Sequence, residues 1–155
     1  MNLMLNHFSI RTASLENCRD FYERVLGLTV GPRPPFPFPG VWMYRGDHAD
    51  YANAVVHVIG VDPAAPAGLT QYLGEKDQTQ SHGTGVVDHI AFSADGLSAM
   101  LEHLRSIGVA ARERLVPGMG LYQLFLEDPD GVVIELNYSA AEKVALDAAR
   151  NSAAV

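Results

Sequence analysis

The chain has 155 residues, of which 48% are hydrophobic, and a formal net charge of −7. This length suits one domain with a real core, and the composition is typical of a globular protein, not a disordered one. The acidic balance argues against nucleic acid or an anionic membrane surface as the main partner. A single cysteine, Cys18, excludes an intramolecular disulfide. With no signal-peptide pattern and no membrane-spanning apolar run, a cytoplasmic enzyme or binding protein is expected.

The first half predicts a strand, a helix, a proline-rich loop and further strands. Residues 5–11 alternate apolar and polar side chains, as a half-buried strand does. Ser14 is a candidate N-cap for an amphipathic helix that ends before Gly27. Residues 31–40 are rich in proline, which lacks the backbone donor of a helix or central strand. Strands are predicted at 41–44 and 54–59.

Residues 61–85 are predicted to form a linker with a short helical piece, because they are rich in Pro, Gly, Ala and polar residues. The second half then predicts the same order of elements. A strand at 87–93 precedes a helix at 97–107, followed by strands at 109–114, 122–127 and 132–137. Residues 140–151 are helix-prone.

The two halves repeat each other, and the repeat aligns four chemically active side chains. His7 and His89 open matching strands at an offset of 82, and the helix after each strand keeps that offset. In the last strand of each half, His57 matches Glu135 at an offset of 78. Three imidazoles and a carboxylate at equivalent positions are the ligand types of a divalent metal site. The pattern predicts two β-α-β-β-β modules of an α+β fold around a central metal cleft.

This arrangement resembles the vicinal oxygen chelate superfamily, which includes glyoxalase I, bleomycin-binding proteins, fosfomycin-resistance proteins and extradiol dioxygenases. The motif His, strand, helix, Gly occurs twice, and the turn at 128–131 leads into the strand that carries Glu135. The resemblance implies that His7, His89 and Glu135 are metal ligands. It places His57 where glyoxalase I has a further metal-associated carboxylate, so that His57 is a ligand, a proton-transfer group or a plain strand histidine.

Two histidines and one carboxylate fit the facial triad of non-haem iron enzymes. This set of residues therefore favours Fe²⁺ and an extradiol-type dioxygenase, with Mn²⁺, Zn²⁺, Ni²⁺ or Co²⁺ as other candidate metals. One alternative is a glyoxalase-like lyase or isomerase in which Glu135 or His57 moves a proton. The other is a metal-free binding or resistance protein. Tyr122 is a candidate for orienting a substrate oxygen, together with His57 and Glu135 as catalytic residues.

The predicted partner is a small molecule with an aromatic or otherwise apolar part. Phe36 and Phe38 in the proline-rich loop suit a hydrophobic wall beside such a substrate, and the alternative is a stiff surface loop without a ligand. By resemblance alone, a homodimer is expected. One domain is assigned to residues 1–155, with modules at about 1–60 and 86–139 joined by the linker and followed by the C-terminal helix.

Overall fold

The computed structural model describes residues 5–73, 82–85, 87–116 and 118–153. Most contacts between residues fall within two compact units of the chain, Met1–His82 and Gly83–Val155. Residues 74–81 of the predicted linker lie outside the described residues. The assignment of one domain to the whole chain stays a prediction.

In residues 5–73 and 82, the described part of the first unit, there are four strands, two helices and a single turn of 3-10 helix over Tyr51–Asn53. Its elements in chain order are β1 (Phe8–Thr12), α1 (Leu15–Arg24), β2 (Thr29–Gly31), β3 (Gly40–Tyr44), β4 (Ala54–Gly60) and α2 (Ala67–Leu73). The helix α2 confirms the helical piece predicted for the linker. The short strand β2 was not located from the sequence.

The second unit repeats this order and adds a helix at its end. Its elements are β5 (Ile90–Ser93), α3 (Leu97–Ser106), β6 (Arg112–Val116), β7 (Leu121–Glu127), β8 (Val133–Ser139) and α4 (Ala140–Ala153). The turn between β7 and β8 forms as predicted, since the Gly131 amide donates to the Asp128 carbonyl at 3.0 Å. The first residue of α3 is capped from a distance: the Leu97 amide donates to Glu142 Oε2 of α4 at 2.7 Å.

Both units build the same four-stranded mixed sheet. The strand orders are β1-β4-β3-β2 and β5-β8-β7-β6, and in each sheet the first strand runs parallel to the last one of its unit. The remaining pairs are antiparallel. The predicted α+β class with two β-α-β-β-β modules is confirmed. In each unit the fourth strand is therefore central, with the first and third strands beside it.

The proline-rich loop is anchored by packing. Phe38, Ile59 and Leu69 are buried together, and Phe36 and Val61 pack against them. Arg33 donates to the Phe38 carbonyl at 2.8 Å and lies over the rings of Phe36 and Phe38. The loop thus has its own small core beneath α2. Phe38 therefore does not lie in a surface loop without packing partners. Contact of Phe36 with a substrate stays a prediction.

Candidate functional site

The four side chains that the repeat selects occupy equivalent places in the two units. His7 and His89 each stand one residue before the first strand of their unit. His57 and Glu135 lie within the central strands β4 and β8. In register, His57 pairs with Ser9 and Glu135 pairs with Ala91. Each unit therefore brings one first-strand histidine toward one side chain of its central strand.

In the first unit this pair is a stack of imidazoles. The His7 and His57 ring centroids are 3.8 Å apart, with planes inclined by 20°. Trp42, the cross-strand neighbour of His57 on β3, stacks on His57 at 4.0 Å and 5°. His57 is held between two rings, which fixes its plane.

Burial between these rings lowers the pKa of His57 to about 4. Desolvation is the largest cause, and the neighbouring His7 and Arg33 add to it, while a hydrogen bond with the Ala54 backbone opposes it. At neutral pH the imidazole is therefore uncharged. A neutral imidazole has the lone pair that a metal ligand needs.

In the second unit a histidine faces a buried carboxylate. His89 Nε2 and Glu135 Oε2 are 3.2 Å apart, and Glu135 is only 4% exposed. Among the described residues, Oε2 has no hydrogen-bond donor, because the contact with His89 lacks hydrogen-bond geometry. The other oxygen, Oε1, accepts from the Asn137 side-chain amide at 2.6 Å. Glu135 thus has one oxygen hydrogen-bonded to Asn137, and the other lies beside His89 without a hydrogen bond.

Both first-strand histidines are oriented by the residue before them. His89 Nδ1 bonds Asp88 Oδ1 at 2.7 Å, and His7 Nδ1 bonds Asn6 Oδ1 at 2.6 Å. An acceptor oxygen beside Nδ1 favours a proton on that nitrogen and makes Nε2 the candidate ligand atom, as in many metal-bound histidines. Asn6 and Asp88 are not among the site residues predicted from the sequence. A signal was present, because Asn6 and Asp88 obey the same repeat offset of 82 as the histidines.

The side chains of the second unit fit a divalent metal. His89 Nε2 and Glu135 Oε2 are 3.2 Å apart, so they form an ion pair when His89 is protonated, or can bind one cation together when the imidazole is neutral. Metal bonds of about 2.1 Å at a right angle place two ligand atoms about 3 Å apart. The orphaned Oε2 and its distance from Nε2 therefore match a shared metal.

Tyr122, predicted as catalytic, is not brought to this pair. Across β7 and β8, Tyr122 pairs with Tyr138 and Phe125 pairs with Glu135. Tyr138 is three residues from Glu135 on a strand, so the two tyrosines lie on the opposite sheet face. The Tyr122 hydroxyl donates to Glu113, and burial together with that bond raises the pKa of Tyr122 to about 12. A catalytic role for Tyr122 stays a prediction.

Aromatic side chains surround the pair of the first unit. Trp42 contacts Phe36 at a tilt and Tyr51 edge-on, with ring centroids 6.1 Å and 5.7 Å apart. Tyr51 is 56% exposed, whereas Phe36 and Trp42 are half-buried. The loop that carries Phe36 is thus connected through Trp42 to His57. This is the part of the described structure that suits an apolar portion of a ligand.

Acid is expected to destabilise the metal-free protein through His57. Between pH 6.5 and about 4 the unfolded chain binds a proton at His57 that the folded chain does not. The free energy of unfolding therefore falls as the pH drops through this window. Replacing His57→Phe keeps a ring in the stack and removes the proton site, so the variant should lose less stability between pH 7 and pH 5. Urea unfolding, followed by the fluorescence of Trp42, measures the difference.

The control for this prediction is His82→Phe, which makes the same replacement at an exposed histidine. That variant should follow the pH dependence of the wild type. Equal slopes for His57→Phe and the wild type would show that His57 titrates normally in the folded protein.

Two β-α-β-β-β units with ligand-type side chains on their first and central strands define a glyoxalase-type protein. The family model described as the glyoxalase/bleomycin resistance protein/dioxygenase superfamily matches residues 4–136. The chain belongs to this superfamily.

Curated relatives and solved structures agree with this assignment. Glyoxylase I 4 of Arabidopsis thaliana is 26% identical over 135 residues, which cover 85% of this chain and 68% of the relative. Lactoylglutathione lyase of Pseudomonas putida is 26% identical over 148 residues, covering 86% and 83%. A structure from the mobile metagenome of V. Pseudocholerae superposes with a TM-score of 0.61 at 20% identity, covering 89% and 95%. That likeness shows the fold alone.

The comparisons favour the lyase alternative over the dioxygenase that the sequence analysis preferred, because the relatives carry glyoxalase and lyase names. They identify neither Fe²⁺ nor any other metal. None of the helices in the described part of the chain has the length and apolar character needed to span a bilayer.

Proposed function

We propose that this chain is a divalent-metal-dependent lyase of the glyoxalase type. The observation that carries the proposal is the buried Glu135 Oε2, which lies 3.2 Å from His89 Nε2 and has no hydrogen-bond partner among the described residues. The names of the curated relatives support the reaction class. A dioxygenase has no comparable support.

The proposed ligands are His7 and His57 in the first unit and His89 and Glu135 in the second. When bound, the metal would act as a Lewis acid on a carbonyl oxygen and stabilise the negative charge that develops there. The protein's own part would be to supply three imidazole nitrogens and one carboxylate. Asn6 and Asp88 hold the Nε2 lone pairs of His7 and His89 available.

We assign the proton transfer to Glu135 Oε2. The other candidate, His57, has a pKa of about 4, since protonation would place a cation between His7 and Trp42 in a partly desolvated stack. A carboxylate oxygen has two lone-pair sites, and with Oε1 held by Asn137, the site on Oε2 that does not face His89 is the one available to take a proton. His57 then serves as a ligand.

The proposed substrates are thiol adducts of 2-oxoaldehydes. S-Lactoylglutathione, the compound in the names of the Pseudomonas relatives, is a 2-hydroxy thioester and so carries oxygens on two adjacent carbons. Converting it into the 2-oxoaldehyde and the thiol needs a proton moved between those carbons and the carbon–sulfur bond broken. One carboxylate beside a chelated pair of oxygens can move that proton.

The experiment combines metal analysis with two assays. Protein purified without added metal, then loaded in turn with Fe²⁺, Mn²⁺, Zn²⁺, Ni²⁺ or Co²⁺, is tested for thioester formation from methylglyoxal and glutathione. Oxygen consumption with catechols is measured in parallel. We expect about one metal per chain and thioester formation without oxygen uptake.

Two outcomes would overturn the proposal. Oxygen uptake with a catechol on the iron-loaded protein, without thioester formation, would restore the dioxygenase. Failure to bind any of these metals would leave a metal-free binding protein. A homodimer stays a prediction, and light scattering of the purified protein tests it.

A further inference from the structure

A chain of hydrogen bonds crosses the second sheet and ends on Glu135. Arg114 Nε donates to Gln123 Oε1 at 2.7 Å, and Gln123 Nε2 donates to Asn137 Oδ1 at 2.9 Å. Asn137 Nδ2 then donates to Glu135 Oε1 at 2.6 Å. The members come from β6, β7 and β8, in a row set by the register Arg114↔Gln123↔Asn137. We call these three side chains the amide relay.

The ends of the relay fix its direction. A guanidinium only donates and a carboxylate only accepts, so the two amides between them have one orientation that satisfies every bond. Each amide must turn its oxygen toward Arg114 and its nitrogen toward Glu135. Hydrogen bonds aligned in this way polarise one another. The positive charge of the exposed Arg114 is thereby linked to the buried carboxylate, across a Gln123 that is only 5% exposed.

The relay distinguishes the two oxygens of Glu135. Oε1 is engaged by Asn137, while Oε2 points to His89 without a hydrogen-bond donor in the described parts of the chain. A carboxylate with free rotation could present both oxygens to a metal. If both oxygens of Glu135 were to bind the metal, the hydrogen bond from Asn137 to Oε1 would have to break. Asn137 is itself held by a hydrogen bond from the buried Gln123.

We propose that Arg114, Gln123 and Asn137 are positioning residues that make Oε2 the single working oxygen of Glu135. The inference rests on the proposed function for the role of Oε2, and on the hydrogen bonds alone for the position of Oε1. Coordination through Oε2 alone would leave one more position of the metal free for a substrate that binds through two oxygens.

The neighbouring Arg112 provides a matched control. Arg112 and Arg114 both lie on β6, both are exposed, and both place their guanidinium groups over the Phe125 ring, at 4.0 Å and 5.0 Å. In register, Arg112 pairs with Phe125, whose partner is Glu135. The two arginines differ in that Arg114 bonds Gln123. Arg112→Met and Arg114→Met therefore remove the same charge. Arg114→Met also breaks the relay.

The most specific variant is Gln123→Glu, which is nearly isosteric. The new carboxylate still accepts from Arg114 but cannot donate to Asn137. Asn137 must then give its donor to position 123 and turn its oxygen toward Glu135, which reverses the relay. Asn137→Leu removes the last bond outright.

Titration with Co²⁺, followed by its visible absorption, measures affinity and coordination together. We expect Asn137→Leu and Gln123→Glu to weaken Co²⁺ binding about ten- to a hundredfold. Both variants should also change the absorption spectrum. Arg114→Met should weaken binding less, and Arg112→Met should leave it unchanged. Equal losses for the two arginine variants, or wild-type affinity and spectrum in Asn137→Leu, would overturn the inference.

A second readout needs no metal and separates this inference from the proposed function. NMR of the side-chain amide groups in the metal-free protein should show the Asn137 signal shifted in Gln123→Glu and Arg114→Met. In Arg112→Met it should stay in place. If the wild type takes up no Co²⁺, the proposed function fails while these shifts still support the positioning of Oε1. If the Asn137 amide signal has the same chemical shift in Gln123→Glu as in the wild type, the hydrogen bonds of the relay do not form in solution.

Discussion

Replacing Glu135→Gln is expected to abolish metal binding and lyase turnover while the fold is retained. The amide at position 135 would keep its oxygen toward Asn137, because Asn137 can donate there, and turn its nitrogen toward His89. That nitrogen would donate into the Nε2 lone pair, so one substitution removes two ligand atoms. We expect a fall in turnover of about a hundred- to ten-thousandfold, the range for a lost acid–base group, with ligand loss acting in the same direction. Metal analysis and the thioester assay measure both effects.

The matched control for this substitution is Glu127→Gln at the exposed end of β7. It makes the same change of charge in the same sheet and should leave metal content and turnover as in the wild type. Thermal unfolding of the metal-free proteins confirms that both variants fold. Full metal content in a folded Glu135→Gln variant would exclude Glu135 as a ligand.

The repeat in the sequence predicted much of the fold, because hydrophobic periodicity and the two matched halves are local signals. It placed His7, His57, His89 and Glu135 at equivalent positions, and the structure pairs them within each unit. The strand β2 escaped prediction for a physical reason. It has three residues, of which Val30 is exposed, so it has no alternating apolar face to detect.

The contacts that depend on strand register could not be predicted from the sequence. Asn137 is fourteen residues from Gln123, and Arg114 is a further nine away, so the relay forms only after three strands pair. The same limit explains Tyr122. Its position on a strand was predictable, but its sheet face relative to Glu135 follows from the pairing of β7 with β8. His57 is a further example, since its stack with Trp42 depends on the pairing of β3 with β4.

Substituting Gly68→Ala should produce the largest loss of stability that we expect from a single methyl group in this chain. A Cβ at position 68 would lie 2.0 Å from the Pro37 carbonyl oxygen and 3.0 Å from its carbon. Neither atom belongs to a flexible side chain, so α2 or the proline-rich loop must move. The contacts at risk are those of Leu69 with Phe38 and Ile59, which form the core beneath α2.

Two free-energy terms oppose each other in this variant. Alanine favours a helix over glycine by about 1 kcal/mol, whereas overpacking against a rigid neighbour costs about 1–3 kcal/mol or more. With main-chain atoms in the way, we expect the second to win, lowering the free energy of unfolding in urea. Trp42, the chain's one tryptophan, reports locally because Phe36 of the same loop contacts it. Gln71→Ala, at an exposed position of α2, should cost nothing and leave the fluorescence unchanged. Equal stability of the two variants would mean that α2 does not press on Pro37.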